Sequence, residues 1–219
     1  MFVLRKYSVA VFFCIITMLC WGSWANTQKM VGENWRFELF YWDYVIGVLL
    51  MALIFAFTLG SFGRAGRSFI ADLRQAKASS IGSAILGGVI FNAANILLVG
   101  AIAIAGMAVA FPVGIGLALV LGVVVNYIKM PKGNPKLLFT GVASITTAII
   151  LCAVAYNMLP STGTEKNVAL GLGLAVACGV LMGFFYRFVA GAMSGDFIEM
   201  EPGKISPYTA MVIFAVGML

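Results

Sequence analysis

Asp43 stands in the apolar stretch FELFYWDYVIG (Phe37–Gly47), about one turn inside the start of a segment long enough to cross a membrane. A carboxylate there has two uses. It can face a polar cavity, binding a solute or carrying a coupling proton, or it can rest at headgroup level among Tyr41, Trp42 and Tyr44. Glu38, one turn earlier, reads as interfacial. Asn92 and Asn95 form a sharper pair in GGVIFNAANILL (Gly87–Leu98). Their i, i+3 spacing places both amides on one helix face, where each offers a donor and an acceptor to a neutral hydrogen-bonding solute. The alternative is a polar contact between helices, worth only about 0.6 kcal/mol on average in membranes. Pro112, in AVAFPVGIG (Ala108–Gly116), removes one helical hydrogen bond and predicts a kink or break. Glycines 114, 116 and 122 would let another helix approach closely, and Asn126 reads as a contact at a helix end. Trp21 and Trp24 close the first apolar run, before Asn26, Thr27 and Gln28. They are either interface anchors or a platform on which a planar solute stacks.

The elements that must position these groups are transmembrane helices. Of 219 residues, 62% are hydrophobic and only 10% charged. A soluble domain needs about 25% charged residues to keep its surface in water. The apolar residues come in blocks of about 20, the length one helix needs to cross a core about 30 Å thick. Spans are expected at 7–25, 39–60, 81–103, 106–128, 137–159 and 168–190. A seventh runs from Pro207 to Leu219. As a helix this last segment would rise about 20 Å, so the sequence reads as cut off inside a span.

Loop charges set the orientation. Arg5, Lys6, Arg64, Arg67, Arg74, Lys77, Lys129, Lys132, Lys136, Arg187 and Lys204 fall on the N-terminal side, and only Lys29, Arg36 and Lys166 on the other. The short loops make the positive-inside rule applicable, which puts the N-terminus in the cytoplasm. Spans three and four meet near Gly100–Gly106 with no charged residue, predicting a tight hairpin, and Pro131, Gly133 and Pro135 mark a turn on the opposite side. Between Arg64 and Lys77 the chain reads as a solvated basic linker in preference to a surface helix.

Several classes are excluded. The sequence holds no histidine, which removes the commonest general base, the commonest metal ligand and the HExxH signature; no enzyme activity, metal or cofactor is expected. Basic residues are too dispersed between apolar blocks for a nucleic-acid surface. Cys14, Cys20, Cys152 and Cys178 lie in apolar runs without a CxxC pair and read as buried free thiols. The run from Tyr7 to Ala25 is longer than a signal-peptide core and is the first span. A retinal protein would need a lysine in its last span, and Pro207–Leu219 has none. A channel or membrane assembly subunit packed through glycines stays open.

Span one (FFCIITMLCWGSW) and span six (GLAVACGVLMGFF) share a small-residue and aromatic ending. Five helices is an odd number, so a unit restarting at span six would be inverted, as in many secondary transporters. The expected organisation is a first five-helix repeat over 1–160 and the start of a second, apparently truncated, over 161–219.

The segments CWGSWANTQK (Cys20–Lys29), FYWDYVIGVLLMALIFAFTLGSFG (Phe40–Gly63) and Gly87–Ile128 resemble the ureide permeases of the drug/metabolite transporter superfamily. Gly22, Trp24, Asp43, Tyr44, Asn95, Asn126 and Tyr127 match that family's pattern. The resemblance covers roughly the first 130 residues, and no single motif in it is diagnostic. It implies ten helices in two inverted five-helix repeats, and uptake of allantoin, related heterocyclic ureides or pyrimidines, often with protons. Related permeases of the superfamily carry glucose or rhamnose, and others export drugs or metabolites. The chain departs from the plant pattern in its short link between spans five and six (Pro160–Asn167) and in stopping in helix seven.

The reading is therefore an all-α polytopic bundle in the cell inner membrane. It would move a small, polar, largely uncharged solute by alternating access. Trp24, Asp43, Tyr44, Asn92 and Asn95 are the candidate solute-binding groups, and Pro112 is the candidate kink. The lipid bilayer and the solute are the expected partners, with proton coupling and a homodimer as open options.

Overall fold

A computed structural model describes residues 1–4, 6–30, 37–63, 65–129, 131, 133–158 and 167–219. Arg5, Arg36, Arg64, Lys132, Lys166 and most of the Pro160–Asn167 link lie outside the described residues, as do the side chains of Gln28, Lys29 and Glu38. The described residues form eight helices: α1 (Tyr7–Met30), α2 (Phe37–Phe57), α3 (Phe69–Gln75), α4 (Ala78–Ala105), α5 (Met107–Lys129), α6 (Pro135–Asn157), α7 (Val168–Ala192) and α8 (Pro207–Met218). Six of these (α1, α2, α4, α5, α6 and α7) are long and apolar enough to cross a membrane. They coincide with the six expected spans, and α8 is the shorter apolar seventh.

Helix is what an apolar segment must adopt in lipid, because each backbone polar group then finds its partner inside the segment. The hydroxyls obey the same demand. Thr17, Ser23, Thr140, Ser144, Thr146 and Thr147 each donate to the carbonyl four residues back, at 2.7–3.0 Å. Starts are capped locally. Asn134 Oδ1 accepts from Lys136 N, Asn167 Oδ1 from Leu170 N and Ser206 Oγ from Thr209 N, and prolines 135 and 207 open their helices without wasting an N–H.

The chain divides into two compact units: Met1–Gly82 with Ala192–Gly217 and Leu219, and Ser83–Gly191 with Met218. The first holds α1, α2, α3 and most of α8. Its apolar core is Ala52, Ala56, Phe69, Val212 and Ala215. Gly60 lies so close to Tyr208 that a Cβ there would sit 2.9 Å from the tyrosine Cβ.

The stretch expected as a solvated linker is a correction. Residues 69–75 are helical, and Asp72 is fully buried. The reason is its partners. Arg67 Nε donates to Asp72 Oδ1 at 3.0 Å, and Ser206 N donates to Asp72 Oδ2 at 2.7 Å. Arg67 also reaches the carbonyls of Glu201 (3.1 Å) and Lys204 (2.8 Å). Gln75 Nε2 donates to Lys204 O at 2.8 Å, and its Oε1 accepts from Gly203 N at 2.7 Å. Lys77 N completes the seam on Gly203 O at 3.0 Å. Arg67, Asp72, Gln75 and Lys77 thus clasp the 200–206 segment, and the carboxylate sits at the start of α8, where the helix dipole favours a negative charge.

The second unit is built on close backbone approach. Gly106 alone joins α4 to α5, with φ +86°, so the hairpin turns on one left-handed residue. Gly106→Ala is expected to cost about 1–2 kcal/mol, the penalty of a Cβ in that region, read as a lower thermal midpoint of the purified protein. Helix α7 carries small residues every fourth position (Gly171, Ala175, Gly179, Gly183), and α5 answers with Gly114, Ala118 and Gly122. A Cβ on Gly179 would sit 2.8 Å from Gly114 O, and one on Gly183 would sit 2.7 Å from Leu121 Cβ. α4 lies antiparallel along α7, from Ser83 Oγ on Phe188 O (2.7 Å) through the Phe91–Phe185 ring pair (5.0 Å) to Ala105 against Gly171. Gly116 admits Ile149 of α6. The three α5 glycines therefore do admit neighbouring helices. Helix α5 continues through Pro112, which lies in its second turn. Of the four cysteines only Cys178 is buried. Cys14, Cys20 and Cys152 lie on the outward faces of their spans, where an apolar thiol needs no protein cover in lipid.

Candidate functional site

The expected site residues fall in both units: Trp24, Asp43 and Tyr44 in the first, Asn92, Asn95 and Pro112 in the second. In the first, α1 and α2 bring Trp24 and Tyr44 together. Their rings stack at 5.3 Å with 27° between planes, and Tyr41 lies 5.8 Å from Tyr44. Stacking on a protein ring occupies the face that a planar solute would use, so Trp24 offers at most its other face. Asp43, next in sequence to Tyr44, is exposed and has no hydrogen-bond or ion-pair partner among the described residues. An apolar groove of about 620 Å³ runs beside Tyr44, between Met51 and Phe55 of α2 and Tyr208 and Met211 of α8. Its lining is nearly all hydrocarbon, which suits a lipid chain or a helix better than a polar solute.

In the second unit, α4 carries both asparagines about midway along its 28 residues. Asn95 is buried, 2% exposed. Asn92 Oδ1 is buried with no hydrogen-bond partner among the described residues. Such an atom left dry costs about 1–3 kcal/mol, so the position is built for a partner. Pro112 leaves the Ala108 carbonyl without its usual intrahelical donor, one turn into α5.

At one end of this unit the start of α4, the end of α5, the start of α6 and the end of α7 line an open cavity of about 880 Å³. Ser83, Asn126, Tyr127, Lys129, Tyr186 and Arg187 supply its polar lining. Asn126 is more than the expected end contact: Nδ2 donates to Gly122 O at 2.8 Å while the side chain lines the cavity. Tyr127 is set edge-on against Phe139 of α6 at 5.5 Å.

The ureide permease family model matches residues 40–161, from α2 through α6 and across Asp43, Asn92, Asn95, Pro112 and Asn126. The chain belongs to the ureide permease family. Ureide permease 4 of Arabidopsis thaliana is 27% identical over 175 residues, 78% of this chain and 44% of that protein. Ureide permease 2 of the same plant is 29% identical over 162 residues, 72% of this chain and 41% of that protein. Probable ureide permease A3 of Vigna unguiculata is 29% identical over 153 residues, 68% and 40% respectively. The chain thus spans less than half the length of these relatives. No solved structure matches it. Ureide permeases are transporters and not enzymes, in keeping with the six apolar spans.

The Arg67–Asp72–Gln75 clasp and the Ser83, Tyr186 and Arg187 side of the cavity escaped the sequence reading. A single acid among the basic residues of 64–77 was the available signal for the first. Nothing local in the sequence signals the second, because its lining comes from four helix ends.

Proposed function

We propose that the chain belongs to a secondary transporter that moves a small, polar, largely uncharged solute across the inner membrane by alternating access. The favoured solute class is a ureide, with nucleobases next. The observation that carries this reading is Asn92 Oδ1, buried and unpartnered in mid-span beside Asn95. A ureide presents several N–H donors and carbonyl acceptors on a small frame. One N–H would satisfy Asn92 Oδ1, and the neighbouring amide would take a carbonyl or a second N–H. A neutral solute suits an apolar unit, because it brings no charge that must be desolvated.

In this reading the N-terminus is cytoplasmic, following the excess of basic residues on that side. Asp43, exposed on α2, is in this reading the proton-coupling carboxylate. The two inverted five-helix repeats implied by the family would place the first at residues 1–160. A sugar permease is the second reading, since hydroxyls could serve Asn92 as well as amides do.

Uptake of labelled allantoin by cells expressing the protein tests the assignment. Asn92→Leu should lower uptake efficiency about 2–10-fold, the value of one net hydrogen bond. Asp43→Asn should abolish proton-driven accumulation while sparing solute exchange. Proton-coupled uptake unchanged in Asp43→Asn would remove that residue from the mechanism. Preference for glucose over allantoin would favour the sugar reading.

A further inference from the structure

The cavity at the end of the second unit is charged in a way that a neutral solute does not explain. Lys129 and Arg187 both line it, and among the described residues no acid does. The imbalance extends beyond the lining. Between Ser83 and Gly191 the sequence contains one acid, Glu165, which lies outside the described residues. Neither cation has an ion-pair partner among the described residues. Helix dipoles do not account for the arrangement either, because two helix starts (α4, α6) and two helix ends (α5, α7) meet here and largely cancel.

The remaining polar lining consists mostly of donors. The Tyr127 and Tyr186 hydroxyls have no hydrogen-bond partner among the described residues, and Asn126 Nδ2 has committed one of its two hydrogens, to Gly122 O. The Arg187 fork, the Lys129 ammonium and two phenols make a set that matches the several oxygens of a phosphate better than the two of a carboxylate. About 880 Å³ is ample for a phosphate together with the group that carries it.

The geometry points to a phosphate-binding site between the ends of α4, α5, α6 and α7, with Arg187 and Lys129 as its charged contacts and Tyr127, Tyr186 and Asn126 as its neutral donors. The phosphate can come from an anionic lipid headgroup, whose chains would lie along the apolar helices, or from a free phosphate ester. The site is independent of the transport reading, which assigns no role to these residues.

The test is the thermal unfolding midpoint of the whole chain, purified in a neutral detergent. Phosphatidylglycerol is compared with phosphatidylcholine, and inorganic phosphate with chloride at equal ionic strength. Phosphatidylglycerol should raise the midpoint by several degrees over phosphatidylcholine. K129Q/R187Q should lose that rise, and K136Q, at the same end but outside the cavity, should keep it. A response to phosphatidylglycerol alone identifies the lipid headgroup, and a response to inorganic phosphate as well admits free phosphate esters. No preference for either phosphate probe in the unaltered protein overturns the site, whether or not the double variant folds. So does a lipid response that survives in K129Q/R187Q or in the single variant R187Q.

Discussion

Asp72→Ala should destabilise the protein by about 3–5 kcal/mol, the usual cost of removing one partner from a buried charge pair. The carboxylate is fully buried and accepts from Arg67 Nε, Gln75 Nε2 and the Ser206 backbone N–H; its loss strands the Arg67 and Ser206 donors, while Gln75 Nε2 keeps Lys204 O. Arg67 is about a quarter exposed and can regain water, so Arg67→Gln should cost less than Asp72→Ala. Asp72→Asn keeps the shape but offers one acceptor oxygen where the carboxylate offers two. It should fall between them. Thermal midpoints of the three variants, with limited proteolysis at 193–206, check the order. Equal midpoints for Asp72→Ala and Arg67→Gln would mean that the clasp contributes no more than an exposed ion pair.

Gly179→Ala carries the second large effect. The added Cβ would meet Gly114 O at 2.8 Å and Leu117 Cβ at 2.9 Å, and a backbone oxygen has no rotamer with which to yield. Overpacking of this kind costs about 1–3 kcal/mol, and Gly179→Leu should exceed it by pushing α5 and α7 apart. The same helix supplies its own control. Gly173 has open space around it, so Gly173→Ala should be neutral or stabilising by up to about 1 kcal/mol, because alanine is the better helix former. The folded fraction recovered from the membrane and the thermal midpoint separate the two substitutions. A similar loss in both would place the effect in glycine content and not in the α5–α7 contact.

These two contacts show where sequence reading succeeds and where it stops. The spans were legible because lipid demands about 20 apolar residues in a row, a signal carried by each segment alone. The hairpin at Gly106 and the turn marked by Gly133 and Pro135 were legible for the same reason: the chemistry of a turn is local. The Asn92–Asn95 pair was legible because its spacing lies on one helix. The clasp was not, because Ser206 reaches Asp72 from 134 positions away and the intervening sequence does not announce the meeting. The glycines of α5 were noticed while the matching row on α7 was not, since one stripe says only that something approaches. Trp24 and Tyr44 were both singled out, yet only the fold pairs their rings.

We propose that the protein carries a neutral, N–H-rich solute held at Asn92. This is tested most directly by the concentration dependence of labelled allantoin uptake, with and without excess unlabelled allantoin, in cells expressing the protein or Asn92→Leu. Uptake should saturate, fall under competition, and need several-fold more solute for half-saturation in Asn92→Leu. Uptake that rises linearly with concentration, ignores competitor and is the same in both proteins would contradict it and favour a channel.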